Sequence, residues 1–555
     1  MKKILFLSLI FFYTLSLFAQ TGKVLESLEF TSKLVSSPVK YSIYLPPGYD
    51  ISERSYPVVY LLHGYSDDET GWVQFGEIDR IADRGIANGD ISSSIIVMPD
   101  GKVTWYCNSY DGSDPWEDMF IDEFIPYIEK PNKQWWVTVA ILVAIIGIGF
   151  VALVYQLMYG HIVTGMRDFV VWGVYIINFI FFLGLSYAGA LIAGVFHLAG
   201  IQWGKPFHRI LKIITVTTLI IGPVYILLCI GRPERIMNLF IYARIQSPIT
   251  WDIIAITTDM FFCIAYLFFI HIEDFAKLRD YPNLKVANWR KKLYGWLAIG
   301  YKGTKEQRKL LRQALNIMAA IIIPTSIIAY SLLAWLFGMN LRPGWHNSIF
   351  APSFVLTAIY SGVALLIVVI WVYRKANNLE KYFTDEHFNY LGFSLMILAL
   401  FYGYFSFSEY ITEWYNSQKT PSILLDKLWD FSDVGGLFLF SNIVAAILPV
   451  IIIGFAKFRS VNSITLTSAL ILVALWIKRY LIIVPTLETP YIPIQDSRMD
   501  WVHYSATWVE WALTLAGVAF FVLVFVLMSK FVPIVCVSEM EEKSHGIRFF
   551  YKTRK

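Results

Sequence analysis

Ten apolar runs, each long enough to cross a lipid bilayer, leave this 555-residue chain few ways to fold. They lie near residues 136–158, 170–199, 210–230, 251–271, 313–338, 351–373, 388–410, 434–456, 463–485 and 508–531. A helix needs about 20 apolar residues to span the hydrocarbon core, and it satisfies its own backbone hydrogen bonds where no water can. Only 16% of the residues are charged, against about a quarter in soluble domains. The reading is an all-α integral membrane protein with about ten transmembrane helices. The net charge of +4 implies no nucleic-acid partner, which leaves membrane lipid as the surrounding medium. Cys107, Cys229, Cys263 and Cys536 form no CxxC or CxxCH pair, so no metal or haem is expected in this chain.

The first quarter of the chain is of a different class. Residues 1–20 carry Lys2 and Lys3, then an apolar run, then Ala19 and Gln20. That is the pattern of a signal peptide. Residues 21–130 alternate strand-like and amphipathic stretches: PVKYSIYLPPGY, the buried β run YPVVYLLHG ending at His63 and Gly64, and the second such run SSSIIVMPDG. Strand and helix in alternation imply a partial α/β domain. Residues 131–555 form the ten-helix membrane domain.

The connections between apolar runs alternate in charge. Residues 200–212, 272–312, 374–387, 457–462 and 530–555 together hold 25 Lys and Arg; the intervening connections hold 8. The positive-inside rule puts the richer set, Lys133 and the C-terminus in the cytoplasm of a bacterial inner membrane. A signal peptide would export residues 21–130 and invert all ten helices. The two halves therefore ask for opposite topologies, which points to two genes or gene fragments joined near residues 120–140, by fusion or by assembly error.

Charge at membrane depth is costly unless it is paired or in use. The seam at residues 229–252, CIGRPERIMNLFIYARIQSPITWD, carries Arg232 and Asp252. Asp259 follows seven residues later on the same helical face. His346 stands in the loop LRPGWHNSIFAP, Glu409 in FSFSEY, Lys478 and Arg479 near the end of the ninth run, and Glu510 in TWVEW. All fall toward the outer leaflet. Glu409, Arg479 and Glu510 read as structural charges, with Arg479 and Glu510 a candidate pair. As a set the charges suit a polar cavity for an amphipathic molecule with protonatable oxygens, such as a quinol, with Asp252 or His346 as proton acceptors. His197 and His271 are isolated near helix ends and make no convincing haem pair.

Two family resemblances sharpen this reading. Residues 135–540 resemble the NrfD/polysulfide-reductase membrane-subunit family, particularly the form in alternative complex III. The resemblance is carried by GVYIINFIFFLGLSYAGALIAG, GRPER, SPITWDIIAITT, KLYGWLAIGYKGT, LRPGWHNSIFAPSFVLTAIYSG, FSEYITEWY, KRYLIIVPTLETP and ATWVEWALTLAGVAFFVLVFVLMSKFVPI. It implies two four-helix bundles with flanking helices and a quinone site near the outer face. It also implies an iron–sulfur (ferredoxin-like) partner subunit, often with a molybdopterin or multihaem cytochrome subunit beyond. Arg232, Asp252 and His346 match the family pattern. Tyr187 and Tyr330 stand where many relatives carry histidine, and Cys229 where some carry an acid. Tyrosine can hydrogen-bond a quinone oxygen but is a poor base at neutral pH.

Residues 25–130 resemble the start of an α/β-hydrolase esterase of the feruloyl-esterase or esterase-D type, on YLPPGYD, YPVVYLLHGYSDDETGW, IIVMPDG and DMFIDEFIPYIEK. The GxSxG elbow that this family places next is absent. The nearest imitation, GLSYAG around Ser186, lies inside an apolar run. Without a nucleophile, His63 and Gly64 have no oxyanion to stabilise.

The expected function is a quinone-binding membrane subunit of a respiratory oxidoreductase, passing electrons between menaquinone or ubiquinone and the iron–sulfur partner. The alternative is a membrane-anchored esterase, expected to be inactive. A transporter is a third reading, but no clear inverted repeat supports it.

Overall fold

The computed structural model describes residues 21–35, 37–49, 56–128, 133–231, 233–280, 288–340, 342–376, 379–380, 382–416, 418–489 and 503–531. The signal-peptide expectation, Arg232 and the C-terminus fall outside these residues. The chain divides into two compact units, Met1–Trp136 with Tyr373–Leu379, and Val137–Val372 with Glu380–Lys555.

The first unit is built on a four-stranded sheet in the order β1-β2-β4-β3, from β1 (Lys23–Phe30), β2 (Val39–Leu45), β3 (Val58–Tyr60) and β4 (Ile95–Pro99). β1/β2 and β2/β4 are antiparallel, whereas β3/β4 is parallel. A parallel pair needs a crossover, and helix α1 (Ile78–Ala87) lies within it. One sheet face packs Tyr44, Ile96 and Met98 with Ala82 of α1. The other packs Tyr41 and Val97 under Trp116, Met119 and Phe124. β4 is covered on both faces, which accounts for its unbroken IIVMP run. The apolar run YPVVYLLHG predicts a buried strand. In the structure β3 is three residues long and half-exposed, because no further strand pairs with its outer edge among the described residues.

The second unit holds ten helices long and apolar enough to cross a membrane, among the described residues. They are α2 (Lys133–Tyr159), α3 (Val174–Leu198), α4 (His208–Cys229), α5 (Pro248–Asp280), α6 (Lys305–Gly338), α7 (Phe350–Ala376), α8 (Asp385–Asn416), α9 (Gly435–Gly454), α10 (Val461–Leu487) and α11 (Trp508–Phe531). Each coincides with one of the ten apolar runs. Helices α3–α6 pack together as one group of four, and α8–α10 with α7 as another. α3 is the most enclosed helix and touches α10 across the two groups. α11 flanks α3 and α4, and α2 packs on α11. Small residues permit these approaches: a Cβ on Gly362 would meet Ala188 at 2.3 Å, and one on Gly149 would meet Ala516 at 2.3 Å.

Prolines mark where the helices are held from outside. Pro449 has no N–H to give the carbonyl of Ala445, and α9 opens into a π-turn over Ile443–Ile447. The Tyr360 hydroxyl of α7 donates to that Ala445 carbonyl at 2.8 Å, supplying the missing bond. Near Pro485 of α10, the Trp345 indole N–H donates to the Ile482 carbonyl at 2.8 Å. That bond seats the α6–α7 loop on the end of α10.

Candidate functional site

The polar groups inside the second unit form three sets. The first lies within the α3–α6 group. Tyr187 of α3, Asp252 and Asp259 of α5 and Tyr330 of α6 are each at most 2% exposed. Asp252 and Asp259 share one face of α5, as their spacing of seven residues requires. Asp259 accepts from the Ser326 hydroxyl at 3.2 Å and from the Cys263 thiol at 3.5 Å. The Tyr187 and Tyr330 rings meet edge to face, 5.7 Å between centroids. Tyr330 donates to the Ile180 carbonyl at 3.0 Å. The Tyr187 hydroxyl and Asp252 Oδ1 have no hydrogen-bond partner among the described residues. Asp259, Asp252, Cys263 and Tyr330 all lie within electrostatic reach of the Tyr187 hydroxyl.

Arg479 adjoins this set from α10. It is 3% exposed, and its Nη1 donates to the Leu475 carbonyl at 2.8 Å. Its Nε and Nη2 have no partner among the described residues. The guanidinium lies 5.2 Å from the Phe181 ring centre and within electrostatic reach of the Tyr330 hydroxyl.

The second set belongs to α8 and α10. Lys478 projects about 100° around the helix from Arg479 and pairs with Glu409 at 3.3 Å. It also donates to the Tyr410 hydroxyl and lies over that ring. The adjoining pocket, lined by Trp345, Glu409, Tyr410 and Glu413, has about 30 Å³ of free volume, room for a single water. His346 stands exposed in the α6–α7 loop and acts electrostatically on Glu413 of this side.

The third set corrects the expected Arg479–Glu510 pair. Glu510 accepts from the Tyr504 hydroxyl at 2.6 Å, the Gly165 N–H at 2.7 Å and the Thr507 N–H at 3.0 Å, and no ion pair joins it to Arg479 among the described residues. Tyr504 in turn accepts from the Val174 N–H at 2.9 Å. The stretch TWVE is the first turn of α11, where orphan N–H donors make a carboxylate acceptor favourable without any cation. Tyr504 lies just before the span; burial foremost, and then Glu510, raise its pKa.

Of the residues that the sequence grouped as a quinone set, the structure buries Tyr187, Tyr330, Asp252 and Asp259 within one group of helices, and Arg232 lies outside the described residues. Arg479, expected to be a structural charge paired with Glu510, adjoins that set instead. Sequence reasoning also placed His346 in the set, and the structure puts that residue exposed in the α6–α7 loop. Sequence reasoning overlooked Ser326 and Cys263, the partners of Asp259; the i, i+4 spacing of Asp259 and Cys263 was the available signal. Ser186 is buried in α3 and donates to the Thr215 carbonyl at 3.0 Å. His197 is hydrogen-bonded to Asn316 at 2.8 Å. Among the described residues no group of three or more His, Cys, Asp or Glu could hold a metal ion.

In the first unit, both ring nitrogens of His63 are used. Nδ1 lies 2.8 Å from the Gly64 carbonyl, to which it can only donate, and Nε2 accepts the Gly101 N–H at 2.8 Å. The His63 N–H donates to the Tyr106 hydroxyl at 3.0 Å, and that hydroxyl donates to the Pro99 carbonyl. Burial pushes Tyr106 up to about 12, which keeps its proton on the hydroxyl. His63 here ties the end of β3 to the end of β4.

Ten membrane-length helices among the described residues, enclosing buried polar groups, define a multi-pass membrane protein. Residues 162–490 match the family described as "Polysulphide reductase, NrfD", and the chain belongs to that family. A Halobacterium salinarum membrane subunit of dimethyl sulfoxide reductase type is 29% identical over 235 residues, 42% of this chain; the chain spans half the length of that relative. The Hdr-like menaquinol oxidoreductase integral membrane subunit of Archaeoglobus fulgidus is 23% identical over 429 residues, covering 75% of this chain and 97% of that one. Residues 32–163 match an esterase family. There an endo-1,4-beta-xylanase/feruloyl esterase from Xylanibacter ruminicola is 33% identical over 113 residues, 19% of this chain and 16% of that protein.

Proposed function

We propose that the second unit is a quinone- or quinol-binding subunit of a respiratory oxidoreductase, passing electrons between the quinone pool and an iron–sulfur partner. The observation that carries this reading is the set of buried polar atoms on Tyr187, Asp252 and Arg479 left without hydrogen-bond partners among the described residues. Buried polar atoms are nearly always satisfied, so those that are not ask for a ligand. Arg479 Nε and Nη2 are donors, the Tyr187 hydroxyl donates or accepts, and Asp252 Oδ1 accepts from a hydroxyl. This inventory fits a quinone carbonyl and equally a quinol hydroxyl. The relative named a menaquinol oxidoreductase subunit supports the same class.

A quinol supplies two electrons and two protons when it is oxidised. On this reading Tyr187 and Arg479 orient the ring oxygens, while Asp252 and Asp259 are the proton acceptors. Ser326 and Cys263 fix the Asp259 carboxylate so that it meets the site in one orientation. The orientation argued from loop charge sets this centre toward the outer face of a bacterial inner membrane, with the C-terminus cytoplasmic. The electron acceptor is then a partner docked at that face, of ferredoxin-like iron–sulfur type. Menaquinone and ubiquinone both fit.

The test is purification from membranes under mild detergent, with mass spectrometry of partners and extraction of bound quinone. An iron–sulfur protein and a stoichiometric quinone are expected. A chain that purifies alone and free of quinone contradicts the reading.

A further inference from the structure

The polar centre has an apolar neighbour. A groove of about 390 Å³ runs between α3, α10 and α11, lined by Phe181, Leu185, Leu472, Trp476, Trp511 and Phe521 among others. That volume lies within the roughly 300–1,000 Å³ typical of ligand pockets. The Trp476 indole and the Thr514 hydroxyl, which line it, are already engaged. The Trp476 indole N–H donates to Asn178 Oδ1 at 2.9 Å, Asn178 Nδ2 donates to Thr514 Oγ1 at 2.8 Å, and Thr514 donates to the Glu510 carbonyl at 2.7 Å. The groove therefore offers hydrocarbon and aromatic surface and no open hydrogen bond.

One residue belongs to both regions. The Phe181 ring lines the groove and carries the Arg479 guanidinium 5.2 Å from its centre. Leu472, Trp476 and Arg479 follow at helical spacing on α10, so the apolar stripe leads to a buried cation with two unfilled donors. An occupant matched to both ends has a long hydrocarbon chain and one oxygen-bearing head. A phospholipid carries two chains and a head that belongs at the aqueous interface, whereas Arg479 lies inside the helix array.

We infer that the α3/α10/α11 groove is the seat of the polyprenyl tail of the quinone, and that Arg479, at its inner end, receives a ring oxygen. This rests on the proposed quinone function and adds how the long-chain form is selected from the bilayer. The tail lies in the groove while the head reaches Arg479 and the Tyr187–Asp252 centre.

The experiment uses the full chain with its co-purifying partners in nanodiscs of defined phospholipid. Binding of a long-chain menaquinone and of a tailless naphthoquinone is titrated against wild type, Leu472→Trp and Val518→Trp. Leu472 and Val473 of α10 and Val518 of α11 all line the groove, so the two substitutions fill it from different helices, and thermal melting checks that each folds. The expected result is at least about tenfold weaker binding of the long-chain form, equivalent to about 1.4 kcal/mol, with tailless binding unchanged. Long-chain binding unchanged in both folded variants overturns the groove assignment and leaves the quinone reading standing. The groove assignment falls equally if a co-purifying phospholipid is lost instead, or if the tailless form weakens as much as the long-chain one. Failure of wild type to bind either compound overturns the quinone reading itself. Should both tryptophan variants melt early, Val473→Leu and Val518→Leu provide the smaller fillings, with the same ordering of effects expected.

Discussion

Lys478 Nζ lies 3.3 Å from the Glu409 carboxylate in the interior of the α7–α10 group, with side-chain exposures of 2% and 11%. Removing one partner of such a pair leaves a desolvated charge behind, which costs about 3–5 kcal/mol in buried sites. Glu409→Ala is therefore expected to destabilise the membrane unit strongly. The double variant Glu409→Leu/Lys478→Met should recover most of the loss. Reversible unfolding in mixed micelles measures both; a double variant as unstable as the single contradicts the assignment.

The unfilled atoms of the first polar set give the functional counterpart. Asp252→Asn keeps the shape but removes the proton acceptor, and quinol-dependent electron transfer is expected to fall by about 10²-fold or more. Tyr187→Phe removes one hydrogen bond and should weaken quinone binding by about tenfold. Steady-state rates and equilibrium titration separate the two effects. Equal small losses in both variants would count against a division between binding and proton transfer.

Tyr360 stabilises α9 through a carbonyl that Pro449 cannot satisfy. Tyr360→Phe should cost about 1 kcal/mol. Adding Pro449→Ala restores the helix's own N–H donor, and the two changes together should cost less than their sum. The same unfolding measurement decides it.

In the first unit, the Ser32 hydroxyl donates to Glu123 at 2.6 Å and lowers the carboxyl pKa. A lowered folded-state pKa means that this contribution to stability is present above the unfolded carboxylate value and is lost as pH falls through the folded one. Amide exchange of peptides covering residues 30–35 and 120–124, corrected for intrinsic rates, should speed up below that point. Ser32→Ala should shrink the pH step, the Lys33 N–H that donates to Glu123 at 3.0 Å keeping the remainder. The same unit is expected to show no turnover of p-nitrophenyl acetate above a His63→Ala control, because both His63 ring nitrogens already serve the fold.

Much of the membrane unit was legible in the sequence, because length and hydropathy leave a spanning helix no alternative. All ten runs recur as helices, with α5 and α6 extending beyond their apolar portions as polar turns. The partners of buried charges were not legible. Lys478 and Arg479 are neighbours in sequence yet serve different neighbours of α10, Glu409 of α8 and Phe181 of α3, and only the packing decides which residue meets which. Glu510 looked like half of an ion pair, but the first-turn N–H donors of α11 and the Tyr504 hydroxyl meet its needs. The pairing of Tyr187 with Tyr330 depended on α3 and α6 being neighbours, which the resemblance implied and no periodicity could give. β3 read as a buried strand because its residues are apolar, while its exposure depends on a neighbouring strand that is missing from the sheet among the described residues.

The quinone content of the purified subunit tests the central claim most directly. Extraction and chromatography of the detergent-purified chain should recover about one quinone per chain, falling at least severalfold in an Arg479→Gln/Tyr187→Phe variant that melts like wild type. A wild-type subunit that retains no quinone, or a folded double variant that retains as much as wild type, would contradict the account.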